Sequence, residues 1–224
     1  MKTSWNLKEC KMLIEENLGK RIGSKTDTYL QSIALKVKRI DYHAGKAKNE
    51  WNALLIRSVI SLRSKYFKEA IENSTAEIEA LIQNLNSLGD ILAKIVYLVV
   101  LRQQHVSGRV YLYKVIKALN DTSIAPRIQK GLENFSNHHK YQYIRAFCNT
   151  MKHENMIDID YIEKMVFINK HKSQKNKIGL RFRRFKNSDK IYSTRFAFDL
   201  IDKYQPSILD LLYKAGNEIN NHFR

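Results

Sequence analysis

Residues that break helices are scarce in this chain: two prolines and eight glycines among 224 residues. Proline removes a backbone donor and glycine costs chain entropy, so their scarcity predicts long uninterrupted helices. Cysteine is as rare, with Cys10 and Cys148 alone, which excludes a disulfide scaffold. Both fall on apolar faces, so inert core thiols in a reducing cytoplasm are expected. Long apolar runs are missing too. The longest, Ile91 to Leu101, is 11 residues interrupted by Lys94, against about 20 for a membrane-spanning helix. The opening Met-Lys-Thr-Ser-Trp-Asn lacks the apolar core of a signal peptide. A soluble cytoplasmic protein without a membrane partner is expected.

Catalytic signatures are absent as well. There is no Gly-rich phosphate loop, no Gly-x-Ser-x-Gly and no kinase or dinucleotide motif. The neighbours His138 and His139 diverge on a helix, and neither they nor His105 and His171 have cysteines or paired carboxylates at ligand spacing. No metal and no other cofactor is expected, so any catalysis must come from side chains.

Positive charge is what the chain has in excess. Its 39 Lys and Arg face 22 Asp and Glu, a net of +17. Residues 101–224 carry 23 of the basic and 11 of the acidic side chains, a net of +12. Between Lys164 and Arg195 eleven basic residues stand against one acid, Asp189. Phosphate neutralisation releases counterions, so a polyanion is the natural partner, with a plain solvated face as the alternative.

Apolar periodicity predicts helices over Ser4–Leu18, Thr26–Tyr42 and Ala47–Glu72, the last including Val59 and Leu62, with breaks at Gly23-Ser24 and Gly45. Ser74 followed by Glu77 has the pattern of a capping box and predicts a helix start. The stripe from Ile78 to Val99 then predicts a helix of nearly 30 residues, apolar on most sides and so centrally buried. Shorter helices are expected over Val110–Leu119, from Pro126 to Ser136, through the segment ending near Met156, and from Pro206 onward. Asn120 to Ser123 and Asp158-Ile-Asp160 read as loops, the latter as the cap of a turn. Beyond Tyr161 the period shortens to two, predicting a basic β-hairpin at about 177–198 whose first strand slips phase at Arg183-Arg184. The expected fold is a mainly α helical bundle with a long central helix and a small β-hairpin after the motif helix. Residues 1–73 would form an arm or subdomain and 74–224 the bundle, or the two one continuous domain.

Tyr143 to His153, Tyr-Ile-Arg-Ala-Phe-Cys-Asn-Thr-Met-Lys-His, carries the most distinctive pattern. Wound as a helix, it puts Ile144, Phe147, Cys148 and Met151 on one stripe. Arg145, Asn149, Lys152 and His153 fall on the adjoining flank, with Arg145, Asn149 and His153 one turn apart. That ending, on a basic helical chain, resembles the HEPN superfamily, and most closely an uncharacterised bacterial branch of it. The resemblance implies a helical bundle, often a homodimer, and for many members metal-independent cleavage of RNA in toxin–antitoxin and other bacterial defence systems. It also implies that the Arg and His act on RNA across the dimer interface. The chain departs from the usual signature in two places: seven residues separate Arg145 from His153 instead of four to six, and Ala146 takes the polar position.

The chemistry can be read from the residues themselves. Cleavage to a 2′,3′-cyclic phosphate needs a base at the 2′-hydroxyl and cations at the phosphate. His153 suits the first role, Arg145 and Lys152 the second, and Asn149 could orient the imidazole. Arg145 lies roughly 12 Å along the axis from His153, so Lys152 is the easier partner. Alternatively, Asn149 and His153 hydrogen-bond into a helix end, and the flank is structural.

The hairpin supplies the nucleic-acid contacts expected of a basic strand pair: Lys170, Lys172, Lys175, Lys177, Arg181, Arg183, Arg184, Lys186 and Arg195. Phe182, Phe185, Tyr192 and Phe196 among them either stack on bases or pack the hairpin onto the bundle. Two functions stay open: an RNA-binding protein, with or without ribonuclease activity, and a non-catalytic module of the immunity or antitoxin type that docks an acidic protein partner.

Overall fold

The computed structural model describes residues 4–56, 65–103, 106–154, 156–164 and 177–224, with backbone alone for 53–56, 162–164 and 177–178. The first helix, α1 (Leu7–Leu18), begins where the Asn6 side chain accepts a hydrogen bond from the Glu9 amide at 3.1 Å. It ends at Gly19, whose φ of +85° favours glycine. The second, α2 (Lys20–Ile56), runs through both expected breaks. At Gly23 a Cβ would stand 2.0 Å from the Glu15 side chain, so this glycine marks close approach of α1 and α2. At Gly45 the helix continues because Ala44 and Ala47 are buried, which outweighs a propensity cost of about 1 kcal/mol.

The long central helix, α3 (Lys65–Val99), is 35 residues and begins before Ser74. The capping-box pattern at Ser74 therefore does not start it. Ser74 is buried in mid-helix, where its hydroxyl donates to the Ala47 carbonyl of α2 at 3.4 Å. The helix expected over 47–72 is divided, its first part completing α2 and its last part opening α3. Val59 and Leu62 lie outside the described residues. Along α3 every residue of the stripe Ile78, Leu81, Ile82, Leu85, Leu88 and Leu92 is fully buried. Each such side chain contributes about 1.5–3 kcal/mol of hydrophobic stabilisation.

Shorter helices wrap this axis: α4 (Leu112–Thr122), α5 (Pro126–Asn137) with Pro126 in its first turn, and α6 (His139–His153). The strands β1 (Ile159–Lys164), β2 (Lys177–Phe182) and β5 (Arg195–Phe196) form an antiparallel sheet in the order β1-β2-β5. Between them β3 (Phe185–Asn187) and β4 (Lys190–Tyr192) make a separate hairpin with Phe185 opposite Tyr192. The phase slip at Arg183-Arg184 is the break between β2 and β3. Asp158-Ile-Asp160 is not a loop capping a turn, because β1 starts at Ile159 and pairs along β2. A short α7 (Ala197–Asp199) and a π-helical turn (Leu200–Tyr204) end the strand pattern at Phe196 and lead into α8 (Gln205–Phe223).

The result is the expected class: a mainly helical bundle around one long helix, with a small antiparallel β region after the motif helix. Buried residues from Trp5 to Ile219 form one cluster. Trp5 closes it, its indole N–H donating to Asn220 Oδ1 of α8 at 3.0 Å. Among the described residues no helix is long and apolar enough to cross a membrane.

Gly216 and Gly45 give opposite expectations. A Cβ on Gly216 would lie 2.1 Å from Trp5 Cδ2, whereas nothing lies within 4 Å of one on Gly45. In urea denaturation Gly216→Ala should lose about 1–3 kcal/mol by overpacking, and Gly45→Ala should gain about 0.5–1 kcal/mol. Equal effects of the two would contradict this packing.

Candidate functional site: a cationic cleft along α6

Two neighbours hold α6 and decide which side chains remain for solvent. The helix buries Ile144, Phe147 and Cys148, with Met151 half-buried at the end of the stripe, and its Cys148 thiol donates to the Ile82 carbonyl of α3 at 3.8 Å. Against the β region it buries Tyr143 and Thr150. Phe147 meets Phe182 with ring centroids 4.9 Å apart, and Tyr143 meets Phe185 at 5.4 Å. Thr150 Oγ1 donates to the Lys186 carbonyl and accepts from Asn187 Nδ2, both at 3.3 Å. The remaining flank presents Arg145, Lys152 and His153 exposed and Asn149 half-buried.

All four line one cleft of about 580 Å³. Among the described residues none of these side chains makes a hydrogen bond or ion pair. The last turn closes instead through its backbone, Glu154 N–H to the Thr150 carbonyl at 2.9 Å. The side chains of Asn149 and His153 are thus not engaged at the helix end, and Asn149 does not hydrogen-bond the imidazole.

The opposite wall comes from α3 and the segment before α4. Asn86, Asp90 and Lys94 line the cleft at four-residue steps, the same spacing as Arg145, Asn149 and His153 on α6. Arg109, Tyr111 and Tyr113 complete it. Among the described residues four permanent cations (Lys94, Arg109, Arg145 and Lys152) therefore share the cleft with one carboxylate, Asp90. The Tyr111 hydroxyl, followed by the Asp90 carboxylate, holds the Arg109 guanidinium above its usual value. The Tyr111 and Tyr113 rings stack 5.9 Å apart with Tyr113 exposed, offering an aromatic surface at the cleft.

The floor is neutral. Tyr141 is buried, which pushes its hydroxyl well above the ordinary tyrosine range, with Asp90 adding to the effect. It donates to the Asn86 carbonyl at 3.1 Å. Burial likewise pushes the Cys148 thiol up to about 12, and the Cys10 thiol to about 12, so neither is a nucleophile near neutral pH. His138 and His139 have ring centroids 4.6 Å apart. Among the described residues no group of three or more His, Cys, Asp or Glu is placed to hold a metal ion.

Sequence periodicity points to the α6 flank but misses the α3 and α4 contributions. The available signal was the polar series Asn86, Asp90, Lys94 cutting into an otherwise apolar helix. The hairpin residues are placed differently from one another. Lys170, Lys172 and Lys175, like His105 and His171, lie outside the described residues, and Lys177 opens β2. Arg181 Nη2 reaches Asp160 Oδ2 at 3.0 Å, and Arg183 Nη2 reaches Asp160 Oδ1 at 2.6 Å. Arg195 donates through Nε to the Tyr204 hydroxyl at 2.8 Å. Arg184 and Lys186 are exposed. None of the described hairpin cations lines the α6 cleft. The aromatics pack: Phe182 and Phe185 are buried, and Tyr192 stacks on Phe185 at 5.2 Å.

No family model, no curated protein and no solved structure matches this chain.

Asp160 ties β1 to the segment after β2, and first Arg183, then Arg181, hold its carboxyl below the usual carboxylate range. A lowered folded pKa contributes stability above the unfolded value and loses it as pH falls through the folded one. Asp160→Asn should therefore melt below wild type at neutral pH. The gap should stay constant down to about pH 4 and close on further acidification. A gap that persists in strong acid, or none at neutral pH, would contradict this tie.

Proposed function

We propose that the α6 cleft binds single-stranded RNA and that His153 serves as the general base of a metal-independent endoribonuclease. One observation carries the reading: the four flank residues of the motif helix meet Lys94 and Arg109 in a single cleft holding one carboxylate among the described residues. Such a surface attracts a phosphate backbone and repels little of it. The stacked tyrosines offer a sequence-tolerant platform for bases. The HEPN resemblance supports the same reading and suggests a bacterial defence or toxin–antitoxin setting.

In the proposed reaction the imidazole of His153 takes the proton of a ribose 2′-hydroxyl. The 2′-oxygen attacks phosphorus, the bond from phosphorus to the 5′-oxygen breaks, and that oxygen leaves after accepting a proton. The products are a 2′,3′-cyclic phosphate and a 5′-hydroxyl end. Lys152, next to the imidazole in sequence, stabilises charge on the phosphate oxygens. Arg145, roughly 12 Å away along the helix, contacts a neighbouring phosphate of the same strand. A second copy of the chain, as the resemblance implies, would bring another imidazole to serve as the acid.

A second reading is favoured by the lack, among the described residues, of any hydrogen bond orienting the His153 ring. On that reading the cleft binds without cleaving, as an immunity or antitoxin-type module that docks an acidic protein.

Incubation of wild type and His153→Ala with cellular RNA in chelator separates these readings. Cleavage by wild type, with cyclic-phosphate ends and a loss of about a hundredfold or more in the variant, supports the enzyme. RNA binding without cleavage in either supports the module. No RNA binding at low salt would overturn the RNA assignment.

A further inference from the structure

A second cavity of about 490 Å³ adjoins the α6 cleft, and Lys94 and Val110 line both. Its other walls bring Lys25, Thr28 and Tyr29 from α2 and Tyr97 from α3. Among the described residues lining it there is no carboxylate. Lys94 stands at the junction, its Nζ 5.9 Å from the centre of the Tyr29 ring. The wall beyond is fixed in place: the Tyr97 hydroxyl donates to the Gln103 carbonyl and the Gln103 amide to the Tyr97 carbonyl, both at 3.0 Å. Arg102 and Gln103 adopt left-handed φ values of 49° and 65° to make that turn. Such conformations persist where the surrounding structure enforces them.

The direction of the path follows from two contacts. Tyr141 bonds to Asn86 and Cys148 to Ile82, so α6 and α3 run antiparallel at their contact. Lys94 therefore lies beyond the Arg145 end of the flank, away from His153. Along the groove the cations succeed one another from Lys152 through Arg145 to Lys94 and on to Lys25. Tyrosines border it throughout: Tyr111 and Tyr113 at the first cavity, Tyr29 and Tyr97 at the second. A row of separated cations with interleaved rings fits an extended strand better than a compact anion.

Resting on the RNA reading above, we propose that the two cavities form one continuous groove for single-stranded RNA. The second cavity seats nucleotides flanking the one at His153, so binding strengthens with strand length until Lys25 is reached.

The test uses 2′-O-methyl RNA of about 4 and about 12 nucleotides, which has no attacking hydroxyl, and reads fluorescence anisotropy. Wild type is compared with Lys25→Glu, which reverses one charge, and Thr28→Trp, which fills the cavity; both positions are exposed, and circular dichroism checks folding. Each variant should weaken the long strand about tenfold and leave the short one within about twofold. Lys25→Glu should also reduce the salt slope for the long strand by about one. Equal losses at both lengths, no loss at either, or equal wild-type affinity for the two lengths would overturn the groove while leaving the cleft standing. Wild type that binds neither length would remove the groove and the RNA reading together.

Discussion

The close approach of α3 and α6 at Gly89 is the constraint on which the cleft depends. A Cβ at Gly89 would stand 2.1 Å from the Tyr141 hydroxyl, so no other residue admits the ring at that depth. Tyr141 in turn donates to the Asn86 carbonyl and packs on Phe135 with centroids 4.3 Å apart. Leu112, the first residue of α4, lies against the same point. Three helices thus meet over one small residue. The polar series on α3 and the polar flank of α6 end up as two walls of one opening.

Charge in that opening is left unbalanced, whereas several cations elsewhere are paired. Lys11 pairs with Asp27, Lys48 with Asp202 and Arg224 with Glu9. Arg181 and Arg183 converge on Asp160. Ion pairs of this exposed kind are individually weak, so their distribution says more than their energy. In the α6 cleft, Arg145 and Lys152 have no such partner among the described residues, and a bound polyanion would supply it.

The architecture was legible where burial follows period, and less so where packing overrides local signals. The stripe from Ile78 to Val96 announces a central helix because all its side chains but Ile91 leave solvent entirely. Ser74 and Glu77 carry a sound capping pattern, yet Ser74 lies inside α3, its hydroxyl turned to the Ala47 carbonyl of α2. Gly23 looked like a break and is a point of helix contact. The flank Arg145, Asn149, Lys152 and His153 could be read from its spacing on one helix. Its counterpart on α3 could not be assigned to the same site, since nothing local says which polar residues of a buried helix face a neighbouring one. The hairpin is dense in charge, but its Arg181, Arg183 and Arg195 answer to Asp160 and Tyr204 and its Phe182 and Phe185 rings to α6, contacts that only tertiary structure creates.

The proposed RNA site is the α6 cleft and not the β region. Photo-crosslinking of the whole protein to 4-thiouridine-substituted single-stranded RNA, with mass-spectrometric mapping of the attachment sites, addresses it most directly. Adducts on Tyr111, Tyr113 and the α6 segment ending at His153 are the result expected. Adducts confined to the Arg184–Lys190 region, with the cleft residues unmodified, would contradict it.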